Sequence, residues 1–254
     1  MPPSLLLTLI LGQSPTNGPI VSDNSFLVEE AYNQEAGVVQ HINMLQRDWR
    51  SGDWTYTFTQ EWPTPRNARH QVSYTLAGLD AGAGAGFGDM ELNWRYQVTQ
   101  SARVAIAPRV SVSLPTGNAD EDRGAGATAL DVNLPISIGT RHVTWHLNAG
   151  AFVGLTRQDD DPRVADVRVA GSAVLLPFRR ANVLVEVVSV RERVSPGHWE
   201  TTNTVSPGVR WAHQAGAVQI VPGLGLPVTF QRNTRTDWGL IGYLSFEHPF
   251  ERRR

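Results

Sequence analysis

Cysteine and lysine are both absent from this sequence of 254 residues. The lack of cysteine excludes disulfide bonds, zinc–thiolate sites and thiol nucleophiles. All 22 basic residues are therefore arginine, which we attribute mainly to genomic composition, although arginine also pairs with carboxylates better than lysine does. No apolar run approaches the roughly 20 residues that a membrane-spanning helix needs. The formal net charge is -2, so no basic field indicates a nucleic-acid partner.

A short apolar run does occur near the N-terminus, over residues 5–11, and only Thr8 interrupts it. The small residues Gly12 and Ser14 follow it, which is typical of a secretory signal peptide. No arginine precedes the run, so a disordered tail is the alternative. We predict a signal peptide over residues 1–14.

Apolar and polar residues alternate through most of the chain from residue 37 onward. In the clearest example, Met90, Leu92 and Trp94 alternate with Glu91 and Asn93. A period of two is that of a β-strand with two different faces. About twelve candidate strands of about 8 to 12 residues follow from this pattern, and no long helical period appears.

Three features favour a membrane barrel over a soluble β-sandwich. The candidate strands match the roughly 9 to 11 residues of a membrane barrel strand, whereas strands in soluble sheets have about 5 to 6. Trp145 and Trp211 fall near one end of the strands and Trp54 and Trp238 near the other, as in the two aromatic girdles of a barrel. Short turns also alternate with longer polar loops. The longer loops are predicted at residues 78–86, 116–127, 155–163, 191–201 and 229–236.

The predicted fold is therefore an all-β, antiparallel, up-and-down transmembrane β-barrel of about 12 strands over residues 37–250. A sandwich with these aromatic residues in its core is the alternative. Residues 15–36 would form a periplasmic or plug segment before the barrel, and residues 251–254 a basic tail after it.

Several stretches resemble a family of bacterial outer-membrane proteins. They are FLVEEAYNQE at residues 26–35, GVVQH at 37–41, GFGD at 86–89 and LPTGN at 114–118. The sequence over residues 26–250 is similar to the meta-pathway phenol-degradation transporter family. The resemblance implies a barrel in the outer membrane of a Gram-negative bacterium that passes small apolar or aromatic compounds. The expected partners are outer-membrane lipid, the barrel-assembly machinery and those solutes, with no nucleic acid, cofactor or metal.

If the apolar face of each strand meets lipid, the polar face lines the lumen. As a functional lining, the charges on this face would select solutes. As a structural lattice, they would pair with one another and fill the barrel, and the two interpretations are compatible. The predicted lumen-lining residues are Asp89, Glu91, Arg95, Arg109, Asp131, His146, Arg168, Glu186 and Arg210.

The acidic segment before the first strand is a second candidate site, and we expect a short helix around its residues 27–32. As a plug, this segment would enter the lumen and dock on Arg95, Arg109 or Arg168. As a periplasmic tether, it would make no such contact. Its candidate plug residues are Glu29, Glu30, Tyr32 and Glu35.

Support for covalent chemistry is weak. No Gly-x-Ser-x-Gly motif occurs, and on a strand His142 and His146 would lie about 13 Å apart, too far to share a metal. A membrane-embedded lipid hydrolase would need Ser111 or Ser113 with His146 as base, and it is one alternative. A structural or binding barrel without transport is another. We expect a non-enzymatic channel for passive passage of small apolar or aromatic solutes.

Overall fold

The computed structural model describes residues 23–101, 103–155, 165–176, 178, 180–195, 198–231 and 236–250. The predicted signal peptide and the basic tail lie outside these ranges. Within them, no helix is long and apolar enough to cross a membrane.

Twelve strands, some of them interrupted, form one antiparallel sheet that closes on itself because β1 pairs with both β2 and β12. The predicted fold is confirmed. The strands are β1 Val38–Asp48, β2 Trp54–Thr64, β3 Asn67–Asp80, β4 Gly86–Phe87, Met90–Tyr96 and Thr99–Gln100, β5 Val104–Ile106 and Arg109–Leu114, β6 Ala129–Gly139, β7 Val143–Gly154, β8 Ala165–Leu175, β9 Ala181–Ser195, β10 His198–Trp211 and His213–Ala215, β11 Val218–Gly225 and Val228–Gln231, and β12 Asp237–Pro249. Among the described residues, one 3-10 turn, Ala119–Glu121, lies in the loop between β5 and β6.

The alternation in the sequence becomes a polar inside and an apolar outside. On β9, Val183, Val185 and Val187 are exposed, whereas Leu184 and Glu186 between them are buried. This arrangement places valine side chains where lipid would contact them and places a carboxylate in the lumen. A barrel leaves no sheet edge unpaired, so it can cross a bilayer with its backbone groups satisfied.

Aromatic residues lie on the outside near both ends of the strands. Trp145 and Trp211 lie close to the short-turn end and are 46% and 45% exposed, and Trp238 lies close to the opposite end and is 52% exposed. Side chains of this size are costly to expose to water but suit the two interfaces of a bilayer. The short turns mark the periplasmic end.

One of the predicted long loops is wrong. The sequence predicts a loop over residues 191–201, but β9 and β10 continue pairing into this stretch, from Arg191 opposite Thr201 to Ser195 opposite His198. The described residues of this stretch are mostly polar, and its apolar residues Val194 and Trp199 are exposed, because a hairpin that projects beyond the membrane meets water on both sides. The apolar alternation that reveals the other strands is therefore missing there.

The inside of the barrel is unevenly divided between apolar and charged side chains. An apolar cluster covers the wall from β8 to β12 and includes Val174, Leu184, Val221, Ile241 and Tyr243. The charged residues lie mainly on β4 to β8. This asymmetry gives the lumen one apolar side and one polar side.

Candidate functional site

Residues 23–36, which we call the lumen segment, cross the inside of the barrel as an irregular extended chain. Their peptide N–H groups donate to side chains of the wall over 2.7 to 2.9 Å. These bonds join Leu27 and Val28 to Glu186, Glu29 to Asn148, Ala31 to Ser137, Asn33 to Gln97 and Gln34 to Gln71. The acceptors lie in turn on β9, β7 and β6, in the interruption of β4 after Tyr96, and on β3, so the segment follows the inner wall around the lumen.

The short helix expected around residues 27–32 does not form. In a helix, the N–H of residue 31 would donate to the carbonyl of residue 27. Here the N–H of Ala31 donates to the Ser137 hydroxyl, and that of Glu29 donates to Asn148. The wall therefore takes the Ala31 donor that the helix would use, and no local pattern in the sequence shows these partners.

Asp23 fixes the start of the lumen segment against β12. Its carboxylate accepts hydrogen bonds from the hydroxyl groups of Tyr243 at 2.7 Å and Ser245 at 2.6 Å, and from the Gln40 side chain at 2.8 Å. Arg210 donates to the backbone carbonyls of Asp23 and Asn24. Alternation along the strand predicts Arg210 as a lumen residue, but it does not identify Asp23 and Tyr243, because nothing near them in the sequence shows that they meet.

Phe26 inserts its ring into a socket made of glycines. A Cβ added at Gly208 would lie 2.5 Å from the ring, and one at Gly223 or Gly225 would lie 2.7 or 2.9 Å from it. Tyr243 packs against the other side with its ring centroid 5.3 Å away. Any side chain larger than hydrogen at these three positions would occupy the place of the ring, so the wall is shaped for this segment.

Arg95 holds the second half of the lumen segment. Its guanidinium donates to the Asn33 side chain at 3.0 Å, to the Glu29 carboxylate at 3.1 Å and to the carbonyls of Glu30 at 3.2 Å and Tyr32 at 2.7 Å. Four acceptors around one buried guanidinium use the planar fork that distinguishes arginine from lysine.

Glu29 and Glu30 are adjacent in the segment but differ in their electrostatic surroundings. Burial acts to raise the pKa of Glu29, but the charges of Arg109 and Arg95 outweigh it and leave that pKa below its ordinary value. Burial raises the pKa of Glu30 to about 8, and the charge of Asp23 contributes to the rise. Glu29 is therefore an ionised partner of the arginines, whereas Glu30 is protonated at neutral pH while the segment is docked.

The remaining predicted residues occupy several different places. Asp131 and Arg168 form an ion pair on the lumen wall, and Arg168 also contacts Asp166 at 3.2 Å. His146 is buried and shares a hydrogen bond of 2.8 Å with the Ser137 hydroxyl. Glu35 is exposed where the segment joins β1.

Asp89 holds a loop in place. Its carboxylate accepts hydrogen bonds from the backbone amides of Gly117 at 2.9 Å and Ala125 at 2.8 Å. Both amides belong to the connection between β5 and β6. This carboxylate therefore ties down a loop at the extracellular end instead of facing a solute path.

A cavity of about 340 Å³, which we call the vestibule, lies next to the lumen segment on its extracellular side. Phe26, Leu27 and Glu29 of the segment line it. The wall contributes the polar side chains of Glu61, Glu91, Asn93, Arg109, Asp131 and Arg168, and the apolar side chains of Ile42, Met44, Val188 and Tyr243. This volume is within the range of small-molecule sites.

The structure does not assemble the serine site that a lipid hydrolase would need. Ser111 pairs across the sheet with Asp131, and Asp131 pairs with Phe152. Phe152 is six positions along β7 from His146, a distance of about 20 Å. His146 is therefore out of reach of Ser111, and Ser113 lies further toward the extracellular end. The part of the chain that the structure describes also holds no group of three or more metal-ligating side chains.

Comparisons with known proteins identify the fold. The chain matches the NanC porin with a TM-score of 0.60 and 10% identity over 81% of this chain and 98% of that one. It matches the KdgM porin in complex with oligogalacturonate with a TM-score of 0.52 and 8% identity over 84% of this chain and 99% of that one. An outer membrane channel from Pseudomonas putida F1 matches with a TM-score of 0.63 and 12% identity over 90% of this chain and 99% of that one.

At these identities the likeness shows the fold alone. It is the fold of bacterial outer-membrane barrels, and together with the apolar exterior it confirms the predicted outer-membrane location. No protein-family model matches the chain, and no curated protein matches it. The resemblance to the phenol-degradation transporter family stays a prediction.

Proposed function

We propose that this chain is a passive outer-membrane channel for small apolar or aromatic solutes, and that the lumen segment is its plug. The observation that carries the proposal is how the segment is held. Side chains of the wall provide every hydrogen bond described above for residues 23–34, and among the described residues no backbone–backbone bond joins this stretch to a strand. The segment can therefore leave the lumen while the hydrogen bonds of the barrel stay intact.

The vestibule supports the choice of solute. Ile42, Met44 and Val188 give it an apolar side on which a ring or short alkyl chain can pack. A solute would enter between the extracellular loops, occupy the vestibule and continue to the periplasm once the lumen segment moves aside.

The ligand of the KdgM complex, oligogalacturonate, does not suit this lumen. Galacturonate units are anionic, so a site for them needs an excess of positive charge. The vestibule has the reverse excess, although a smaller one than its lining alone gives, because Arg95 contacts Glu29 at 3.1 Å and Glu61 at 4.0 Å. Four carboxylates then face three guanidinium groups. The carboxylates are those of Glu29, Glu61, Glu91 and Asp131, and the guanidinium groups are those of Arg95, Arg109 and Arg168. We therefore propose that the solutes of this channel are small apolar or aromatic compounds without negative charge, and not acidic sugars.

Planar-bilayer recordings of the refolded protein test the proposal. We expect rare current steps from the intact protein and frequent steps from Arg95→Ala, because this change removes the four contacts that hold the second half of the plug. The matched control is Arg103→Ala, which removes an exposed arginine from a periplasmic turn and should record like the intact protein.

Solute entry is measured as block of the current through Arg95→Ala. We expect 2-phenylethanol to interrupt the current and a sugar of similar size to leave it unchanged. A folded Arg95→Ala barrel that gives no current would overturn the channel. Equal block by the sugar would overturn the solute class.

A further inference from the structure

The polar side of the vestibule carries two side chains whose oxygen atoms accept no hydrogen bond from the described part of the protein. Glu91 and Asn93 both line this cavity from β4. They are two positions apart on one strand, so they point to the same face with their Cα atoms about 6.6 Å apart. We call Glu91 and Asn93 the acceptor pair.

Asn93 is nearly inaccessible yet unsatisfied. Asn93 is only 6% exposed, and its side-chain amide oxygen has no hydrogen-bond partner. A buried carbonyl oxygen without a donor costs about 1 to 3 kcal/mol, so such groups are uncommon in folded proteins. Because Asn93 lines the vestibule, a donor group on a ligand bound there would supply the partner that this oxygen lacks.

Glu91 is the one vestibule carboxylate that the wall leaves unpaired. Glu29 contacts Arg109 at 3.4 Å, Asp131 is paired with Arg168, and Glu61 accepts a hydrogen bond from Gln71 at 2.8 Å. Glu91 has no hydrogen bond and no ion pair with any residue in the described part of the chain, although the more distant charges of Arg109, Asp131 and Arg168 act on it. The net excess of negative charge in the vestibule is thus concentrated at its free carboxylate.

The opposite side of the same cavity is apolar. Ile42 and Met44 project from β1, Val188 from β9 and Tyr243 from β12. A ligand that fills the vestibule therefore meets hydrogen-bond acceptors and negative charge at one end and hydrocarbon at the other. The ligand that complements such a cavity has a positively charged donor group attached to a small apolar body.

We infer that the vestibule binds a small amphipathic organic cation, with its ammonium group between Glu91 and Asn93 and its apolar part against Ile42, Met44 and Val188. An ammonium carries three N–H donors and no acceptor, so it can serve the Glu91 carboxylate and the Asn93 oxygen at the same time. The inference rests on the proposed channel function, because it names one solute class that the same lumen would take up.

Three probes with one carbon skeleton test the inference: 2-phenylethylamine, 2-phenylethanol and phenylacetate, which are a cation, a neutral donor and an anion at pH 7. Binding is measured by titration calorimetry on the intact refolded protein in a zwitterionic detergent. We expect the amine to bind at least about tenfold more tightly than the alcohol, since a charged hydrogen bond to a carboxylate is stronger than a neutral one. Phenylacetate should show the weakest binding.

Two variants and one control assign the site. Glu91→Gln keeps the shape of the side chain and should lower the affinity for the amine by about tenfold while leaving the alcohol unchanged. Asn93→Ala should weaken both probes, because it removes an oxygen that either donor can use. The control Glu200→Gln changes an exposed carboxylate on β10 and should leave all affinities unchanged. A heat-modifiable gel shift confirms that each variant is folded.

Equal affinity for amine and alcohol, tighter binding of phenylacetate, or an unchanged affinity in Glu91→Gln would each overturn the inference. Its failure is separate from failure of the channel proposal, because binding is measured in detergent and passage is measured as current. Amine binding to a barrel that never conducts would contradict the channel alone. Current without amine binding would contradict the cation site alone.

Discussion

Phe26→Ala should release the lumen segment from the barrel wall. The Phe26 ring is 5% exposed, and it fills the space left free by Gly208, Gly223 and Gly225. Truncation of a buried phenylalanine to alanine costs about 3 to 5 kcal/mol. Because the strands keep all their own contacts, we assign this loss to docking of the segment and not to folding of the barrel. A loss of about 3 kcal/mol would raise the undocked fraction roughly 100-fold.

Thiol labelling measures the undocked fraction. The chain has no cysteine, so Ser25→Cys provides a single thiol one residue before Phe26. Ser25 is buried against Ser172 when the segment is docked, and the labelling rate therefore follows the fraction of time that the segment is undocked. We expect Phe26→Ala to accelerate labelling roughly 100-fold, whereas Phe87→Ala, which removes a ring that is 81% exposed, should have no effect.

A double-mutant comparison tests the socket itself. Gly223→Ala places a Cβ 2.7 Å from the Phe26 ring and should also accelerate labelling. In the Phe26→Ala background the space is empty, so the same glycine change should add little. Unchanged labelling in Phe26→Ala, or full additivity of the two changes, would refute the idea that the ring and the glycines hold the segment together.

Two further predictions concern the charged residues of the lumen segment. Arg95→Lys should give current steps less often than Arg95→Ala does, because an ammonium still reaches some of the four acceptors of Arg95; equal step frequencies in planar bilayers would contradict this. The pKa of Glu30 is raised to about 8 in the docked segment, so its contribution to docking is present below about pH 4.5 and is lost as the pH rises through about 8. Labelling should accelerate over that window in the Ser25→Cys protein and lose this component in Glu30→Gln, and an identical pH profile for Glu30→Gln would contradict the assignment.

The strands could be predicted from the sequence because one local pattern decides them. On β6, Val132 and Leu134 face outward, and Asp131 and Asn133 between them face the lumen. Lipid on one side and polar side chains on the other impose a period of two that a reader sees without knowing any partner strand. Where both faces meet water, as in the outer part of the β9–β10 hairpin, the alternation is absent and the strands are therefore not predicted.

The interior of the site could not be predicted in the same way, because its contacts are distant in the sequence. Leu27 donates to Glu186, which is 159 positions away along the chain. In the sequence, Gly223 and Gly225 only weaken a strand, and their role becomes clear from the Phe26 ring that packs against them in the structure. Arg95 and Glu186 could be placed on the lumen side by alternation, but the peptide groups that they hold could not be identified.

The central claim, that the lumen segment closes the channel, is tested most directly by locking the segment in place. The hydroxyl oxygens of Ser25 and Ser172 are 2.7 Å apart, and the chain has no native cysteine that would compete for pairing. Ser25→Cys with Ser172→Cys should therefore form a disulfide that joins the lumen segment to β8. In the Phe26→Ala background, we expect current steps from the reduced double-cysteine protein, none after oxidation and their return on reduction, while either single cysteine shows no redox effect. Equal conductance of the reduced and oxidised proteins, with the disulfide verified by mass, would contradict the account.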